Sequence, residues 1–274
     1  MAEITAKMVN ELRAKTGLGM MECKKALTEA MGSIETAFDN LRKKGLKASI
    51  TERAATEGRV AVAVAPDRKR GAIVEIVCNT DFTAKSDPVA KIAETAVQRL
   101  LSNPSAQPAE DPQLKAELTA VAQQTGENVQ IGRAIALDAP GGGAVASYLY
   151  STAGKGKIGV LMAVAGNAPQ DVLNQLGMHI VAARPVALNR QQVPADVVAK
   201  EREIAVEQAK ATGKPQQIAE KIAEGKLNAF YAERVLLDQD FINAEVFKGK
   251  VADFLKGKGV TLEKYVRVEV GQQA

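Results

Sequence analysis

Apolar residues recur at helical spacing through the first forty positions. Ile4, Met8 and Leu12 fall on one face of a helix, which Gly17 and Gly19 break. Met21, Leu27 and Ala30 mark a second helix that stops at Gly32. Ser33 is a fit N-cap for a third, with Ile34, Phe38 and Leu41 turned inward and Gly45 closing it. Three helices of this length predict a mini-bundle with a small core, and the charged stretch 47–53 predicts a linker. The period then changes from helical to alternating. Val60, Val62 and Val64 and the run 73–78 read as two strands joined by a turn at 66–71. Residues 79–85 read as a loop. Ser86, a capping residue, and Pro88 announce a helix that places Val89, Ile92, Ala96 and Leu100 on one side. An exposed connector at 102–112, a helix carrying Leu114, Leu118 and Val121, and a strand at 131–137 follow.

After Pro140-Gly141-Gly142-Gly143 the same order returns. Strands at 145–150 and 158–164 flank the turn Gly154-Lys155-Gly156, and a helix from Pro169 spaces Val172, Leu176, Ile180 and Ala183 one turn apart. The repeat matches element by element rather than residue by residue, and it predicts two similar α+β subdomains with antiparallel sheets. The second takes its third strand from 265–270. Between these pieces Pro194 and Pro215 start two helices, 194–210 and 215–224, ended by Thr212-Gly213 and by Gly225. The turn Gly213-Lys214-Pro215 suits an antiparallel hairpin in which Val197, Ile204 and Ala211 face Ile218 and Ile222. A narrow apolar stripe predicts that this hairpin protrudes. The expected architecture is α+β: a three-helix unit over 1–53, a core subdomain over 54–140, and a second over 141–274 interrupted by a helical hairpin at 190–226.

Composition narrows the chemistry. Aromatics are 4% of the 274 residues and Trp is absent, so the core must be mostly Ala, Val, Ile and Leu, and a surface aromatic stands out. The 36 basic and 32 acidic side chains describe an ordinary solvated surface. One His and two Cys supply neither a zinc site nor a disulfide framework of the usual spacing, so no metal is expected. The N-terminus has no signal or transit pattern and no apolar run approaches a membrane span, which predicts a cytoplasmic, reduced, soluble chain without membrane attachment.

Reaction centres are hard to find. Gly154-Lys155-Gly156-Lys157-Ile158-Gly159 matches a dinucleotide fingerprint as a string, but it joins two strands, and a hairpin turn is the better reading. No phosphate-loop lysine motif exists, so neither a bound nucleotide nor another cofactor is expected. His179 lies on an amphipathic helix and reads as a packed or boundary residue. Cys23 and Cys78 read as small hydrophobes, and Glu201 and Glu203 as a solvated face. No nucleophile elbow occurs. The basic clusters Lys24-Lys25, Arg42-Lys43-Lys44 and Arg68-Lys69-Arg70 are short and lack interleaved aromatics, which argues against nucleic acid. A chain of modules without a reaction centre points to protein binding.

Two places break the pattern. Met20 and Met21 stand side by side at a helix start in a unit too small to bury every apolar residue; the core can take one, and an exposed Met suits a partner surface. Thr80-Asp81-Phe82 places a scarce aromatic on a strand-to-helix loop. There the residues leave two readings open: Thr80 and Asp81 satisfy loop amides while Phe82 folds inward, or the ring faces a partner.

Several runs are very similar to the bacterial elongation factor Ts family: Glu3-Ile4-Thr5-Ala6, Glu11-Leu12-Arg13, Thr16-Gly17, and Gly19-Met20-Met21-Glu22-Cys23-Lys24-Lys25-Ala26-Leu27. So are Cys78-Asn79-Thr80-Asp81-Phe82, Gly126-Glu127-Asn128, Lys157-Ile158-Gly159-Val160-Leu161, Met178-His179-Ile180 and Gly213-Lys214-Pro215, in the same order along nearly the whole chain. The resemblance implies a guanine-nucleotide exchange factor for elongation factor Tu, the GTPase that delivers aminoacyl-tRNA, with no covalent chemistry and no cofactor of its own. It implies a three-helix domain resembling ubiquitin-associated domains, a two-part core and a helical hairpin. It implies that Arg13, Met20 and Met21 dock on the partner's nucleotide-binding domain. Asp81 and Phe82, on a loop supported by Thr80 and Lys85, would press near its magnesium and phosphate site. The hairpin and the C-terminal core half would engage its other domains. The chain departs from the family at Tyr150, where many members carry a histidine in a Ser-Tyr-x-His-Gly run, at Thr125, where members often have an apolar residue, and at Thr83.

Overall fold

A computed structural model describes residues 4–16, 19–43, 55–165, 168–213 and 215–272. Its first three helices are α1 (Ala6–Thr16), α2 (Met20–Glu29) and α3 (Ile34–Lys43). They close on Val9, Leu12, Cys23, Ala26, Leu27, Ala30 and Ala37. Thr16 is buried there because its hydroxyl donates to the Leu12 carbonyl at 2.7 Å. Met31 (φ 51°) and Gly32 (φ 89°) turn the chain left-handed after α2, and the Gly32 amide reaches back to the Leu27 carbonyl. Ser33 caps α3 by accepting from the Thr36 amide at 3.2 Å. Gly17, Gly45 and the predicted linker 47–53 lie outside the described residues.

Two three-stranded antiparallel sheets follow. The first has the order β1 (Glu57–Val64), β2 (Arg70–Cys78), β3 (Gln130–Asp138), and the second the order β4 (Ala144–Thr152), β5 (Lys155–Ala165), β6 (Thr261–Glu269). Both are a hairpin whose second strand takes a distant third strand on its free edge. Both central strands are buried on two faces, almost wholly by apolar residues, with Glu75 of β2 and Lys155 of β5 as the charged exceptions, and the period of two separates the faces. From β2, Ala72, Val74, Ile76 and Cys78 pack on helix α5 (Asp87–Ser102), while Ile73 points the other way. From β5, Ile158, Val160, Met162 and Val164 pack on helix α7 (Gln170–Ala183), while Leu161 and Ala163 point the other way. Ile73, Val60, Leu137, Val145, Leu161, Ala163 and Val268 then form one interior between the sheets. The two repeats are back-to-back layers of a sandwich, each covered outside by its own helix. Gly159 permits the close approach: a Cβ there would sit 2.6 Å from Ile73 Cδ1 and 2.7 Å from Val60 Cγ1.

The predicted loop 79–85 is instead a short helix, α4 (Asp81–Lys85), ahead of α5. Ser86 does not cap α5 with its side chain; its hydroxyl donates to the Thr83 carbonyl at 2.7 Å. Helix α6 (Pro112–Thr125), capped by Asp111, leads into β3. The fingerprint-like string at Gly154 does join two strands, but the tight turn is Ala153-Gly154, both at positive φ, and not Gly154-Lys155-Gly156: Lys155, opposite Thr152, and Gly156 already belong to β5.

The helical arm consists of α8 (Ala195–Ala211) and α9 (Gln216–Arg234). The arm departs from the expected hairpin in two ways. Gly225 does not end the second helix, which runs on to Arg234; one interior glycine costs about 1 kcal/mol, too little to stop a helix held before it by Ala219 and Ala223 and after it by Phe230 and Tyr231. Nor do Val197, Ile204 and Ile218 form the seam, since all three are exposed. The seam is Ala205 and Ala209 against Ala219 and Ala223, side chains small enough to let the two backbones close up. At the root, Val193, Ala187 and Val235 pack with Val198, Phe230 and Tyr231. Helix α10 (Val251–Gly257) returns the chain to β6, seating Phe254 on Phe241 at 4.2 Å between centroids. His179 is fully buried against this segment. Its Nδ1 accepts from the Ile242 amide at 3.2 Å, so Nε2 carries the proton and donates to Gln239 Oε1 at 3.0 Å.

Candidate functional site

Strand β2 pairs with β1 as far as Cys78, opposite Glu57, and the ladder ends there. The next two amides, of Asn79 and Thr80, therefore need other acceptors. Both find Glu127 Oε2, at 3.1 and 3.0 Å. Glu127 Oε1 accepts from the Thr80 hydroxyl at 2.7 Å and from the Thr83 hydroxyl at 2.8 Å. Glu127 is brought to this place by Gly126, whose left-handed conformation (φ 69°) ends α6 and reverses the chain. Asn128 follows with its amide on Asn79 Oδ1 at 2.8 Å. Burial pushes the Glu127 carboxyl up, but the hydroxyls of Thr80 and Thr83 and the amides of Thr80 and Asn79 together outweigh it and hold the group below its ordinary value. Beneath the turn, the Cys78 thiol donates to the Thr80 carbonyl at 3.1 Å. Burial first, then the Glu127 carboxylate, pushes that thiol up to about 11, so it stays protonated and inert.

On this bracket Thr80 is the N-cap of α4, its Oγ accepting from the Thr83 amide at 3.3 Å while its hydrogen goes to Glu127. The inward positions of the five-residue helix are Thr83 and Ala84, both buried. Phe82 consequently points out and is 82% exposed, the one exposed phenylalanine among the described residues. The inward reading of the ring is overturned, because Thr83 and Ala84 occupy the face it would need. Thr80 does satisfy a loop amide, as that reading supposed, whereas Asp81 turns to Lys85 Nζ at 2.6 Å. The Lys85 hydrogen bond holds the Asp81 carboxyl below its usual range.

The other predicted site residues lie on the first helices. Arg13 is exposed on α1, and Met20 and Met21 begin α2 at 57% and 77% exposure. The core was expected to take one methionine; it takes neither, since the buried positions of α2 start at Cys23. Met31, at the left-handed exit of α2, is 83% exposed and passed unnoticed in the sequence. Tyr150 is exposed near the end of β4 beside the bulge that follows it. Thr125, just before Gly126, donates to the Val121 carbonyl at 2.8 Å and accepts from the Glu127 amide at 3.3 Å. It thereby steadies the residue that braces the turn. Sequence reading missed Glu127 as part of this site, although the run Gly126-Glu127-Asn128 was the signal that could have found it.

Among the described residues no group of three or more His, Cys, Asp or Glu side chains is placed to hold a metal ion, and no helix is long and apolar enough to cross a membrane. The site offers an apolar ring on a hydrogen-bonded pedestal, with an ion pair beside it.

The sequence pattern of the family described as Elongation factor TS matches residues 79–272. Elongation factor Ts of Nautilia profundicola is 40% identical over 99% of this chain and 94% of its own length. Elongation factor Ts of Pasteurella multocida is 42% identical over 99% of this chain and 93% of its own. That of Rhodospirillum centenum is also 42% identical, with 99% and 94% covered. On similarity that runs the length of both partners, the chain belongs to the bacterial elongation factor Ts family of translation elongation factors.

Proposed function

We propose that the protein is the guanine-nucleotide exchange factor of elongation factor Tu, and that Phe82 is the wedge with which it disturbs the partner's magnesium and phosphate site. Family membership supports the partner, and the outward ring at 82% exposure carries the wedge. Six phenylalanines and no tryptophan serve the whole chain, and leaving one of them in water has a cost that binding recovers. Arg13, Met20 and Met21 form a second contact, on the nucleotide-binding domain of the partner. Thr80 and Lys85 support the wedge, and Asp81 sits beside it. The three-helix unit over 1–53 acts as a domain of the ubiquitin-associated type. The core halves 54–140 and 141–274, with the arm, spread the contact over the partner's other domains. The factor works in the cytoplasm and binds no nucleotide, nucleic acid or membrane itself.

Exchange on this reading needs no bond making. The factor binds the empty or distorted GTPase more tightly than the loaded one, and linkage requires that it weaken nucleotide binding by the same factor. Burying the Phe82 ring contributes roughly 1.5–3 kcal/mol. A full switch of populations takes about 5.5 kcal/mol, so the ring offsets part of the cost and the wider interface supplies the rest. Entering GTP then displaces the factor by the reverse coupling. The decisive measurement is release of fluorescent GDP from purified elongation factor Tu with and without this protein. Acceleration is expected; binding without acceleration would reduce the protein to a tether.

A further inference from the structure

The geometry points to Glu127 as a positioning residue for exchange: its carboxylate fixes the outward direction of the Phe82 ring without touching the partner. The inference rests on the wedge reading above and adds to it the group that aims the wedge.

Four donors converge on this one side chain, and all four belong to the segment that carries the ring. Two are the consecutive amides of Asn79 and Thr80, and two are the hydroxyls of Thr80 and Thr83. A carboxylate has about four lone-pair sites, so its capacity is filled by the turn alone. Among the described residues no cation pairs with it, so it does not serve a surface ion pair. Glu127 lies 44 to 48 positions further along the chain than its partners, so the contact ties the turn to a separate element and not to itself.

The consequence for the ring follows from the length of α4. A helix of five residues has no independent stability in water, so its existence and its rotation about its own axis depend on outside bonds. Thr80 Oγ is held from two directions, donating to Glu127 and accepting from the Thr83 amide, which leaves one rotamer. Thr83, one position after the ring, is held to the same carboxylate and turned inward. With residues 80 and 83 pinned on one side of the turn, Phe82 has only the opposite side. Ordering is thus complete before the partner arrives, and binding does not have to supply it.

The test is a double-mutant cycle read by GDP release from elongation factor Tu, using Glu127→Gln, Phe82→Ala and the pair. Glu127→Gln keeps the shape but puts an amide NH2 where an acceptor is required. It should slow release about tenfold alone and change it less than about twofold when Phe82 is already Ala. Amide hydrogen exchange at Asn79 and Thr80 should accelerate in Glu127→Gln while the β2 amides stay protected. Should that variant fold poorly, Thr83→Val removes a single donor at equal volume and should show the same dependence on Phe82. If Phe82→Ala slows release but Glu127→Gln leaves it unchanged, or if the two effects multiply independently, the positioning role is wrong and the wedge stands. Slow exchange at Asn79 and Thr80 in Glu127→Gln would equally overturn it. If Phe82→Ala itself has no effect, the wedge reading fails and takes this inference with it.

Discussion

Arg133 Nε lies 2.8 Å from Glu75 Oε2, an ion pair placed across β3 and β2 where Glu75 is almost wholly buried. The second Glu75 oxygen accepts the Gly271 amide at 3.0 Å, and the Arg133 guanidinium also donates to the Glu269 carbonyl. The tail that follows β6 is therefore fastened to the opposite sheet through one carboxylate. Breaking such a pair leaves the buried Glu75 charge with backbone amides alone to compensate it. We expect Arg133→Ala to lower the unfolding free energy by about 3 kcal/mol, read as a lower urea midpoint at an unchanged slope. A midpoint within error of the wild type would mean that the tail, not the arginine, holds the sheets together.

Phe82→Ala removes an exposed side chain that the core does not use. Thermal unfolding should be unaffected, and stimulated GDP release should slow at least about tenfold, the loss of one buried ring at the interface. Normal release by a folded variant would count against the wedge.

The arm is closed by its own alanine seam and rooted by Val193, Val198, Phe230 and Tyr231. Excising 200–226 and joining the helices by a short glycine turn keeps that root. The shortened protein should still unfold in one cooperative thermal transition while binding elongation factor Tu more weakly. Loss of the folded state would show that the arm is part of the core.

His179 supplies a pH dependence with a definite sign. Burial lowers its basicity, and the Gln239 hydrogen bond opposes this only in part. An unfolded chain therefore takes up a proton at a pH where the folded one does not. The stabilisation is complete above the ordinary histidine value near 6.5 and is lost as pH falls from there toward the depressed folded value. Unfolding free energies from urea titrations at pH 7.5, 6.5 and 5.5 should drop at the acid end, by up to about 1.4 kcal/mol per pH unit, and His179→Gln should flatten that drop. An equal drop in the variant would assign the titration elsewhere.

The site was half legible in advance. Met20, Met21 and Phe82 stood out because apolar groups at helix starts and in connections have no local reason to be there. Which way they pointed was not legible. Phe82 faces out because Thr83 and Ala84 take the inner side of α4, and Met20 and Met21 do because α2 buries nothing before Cys23.

Periodicity and turn chemistry are local, and on their own they determine the first three helices, the six strands, a tight turn near Gly154, the repeat of hairpin and helix, and the antiparallel arm, but neither α4, where they read a loop, nor α10. Long-range complementarity is not written in any one segment. Only the tertiary structure decided that the two sheets share an interior at Ile73 and Leu161, that alanines rather than Val197 and Ile204 form the arm's seam, and that Glu127 reaches the turn at Thr80. The reason is the same each time. A residue's spacing says which face of its own element it occupies, while what that face meets depends on elements dozens of residues away, which come together only when the chain packs.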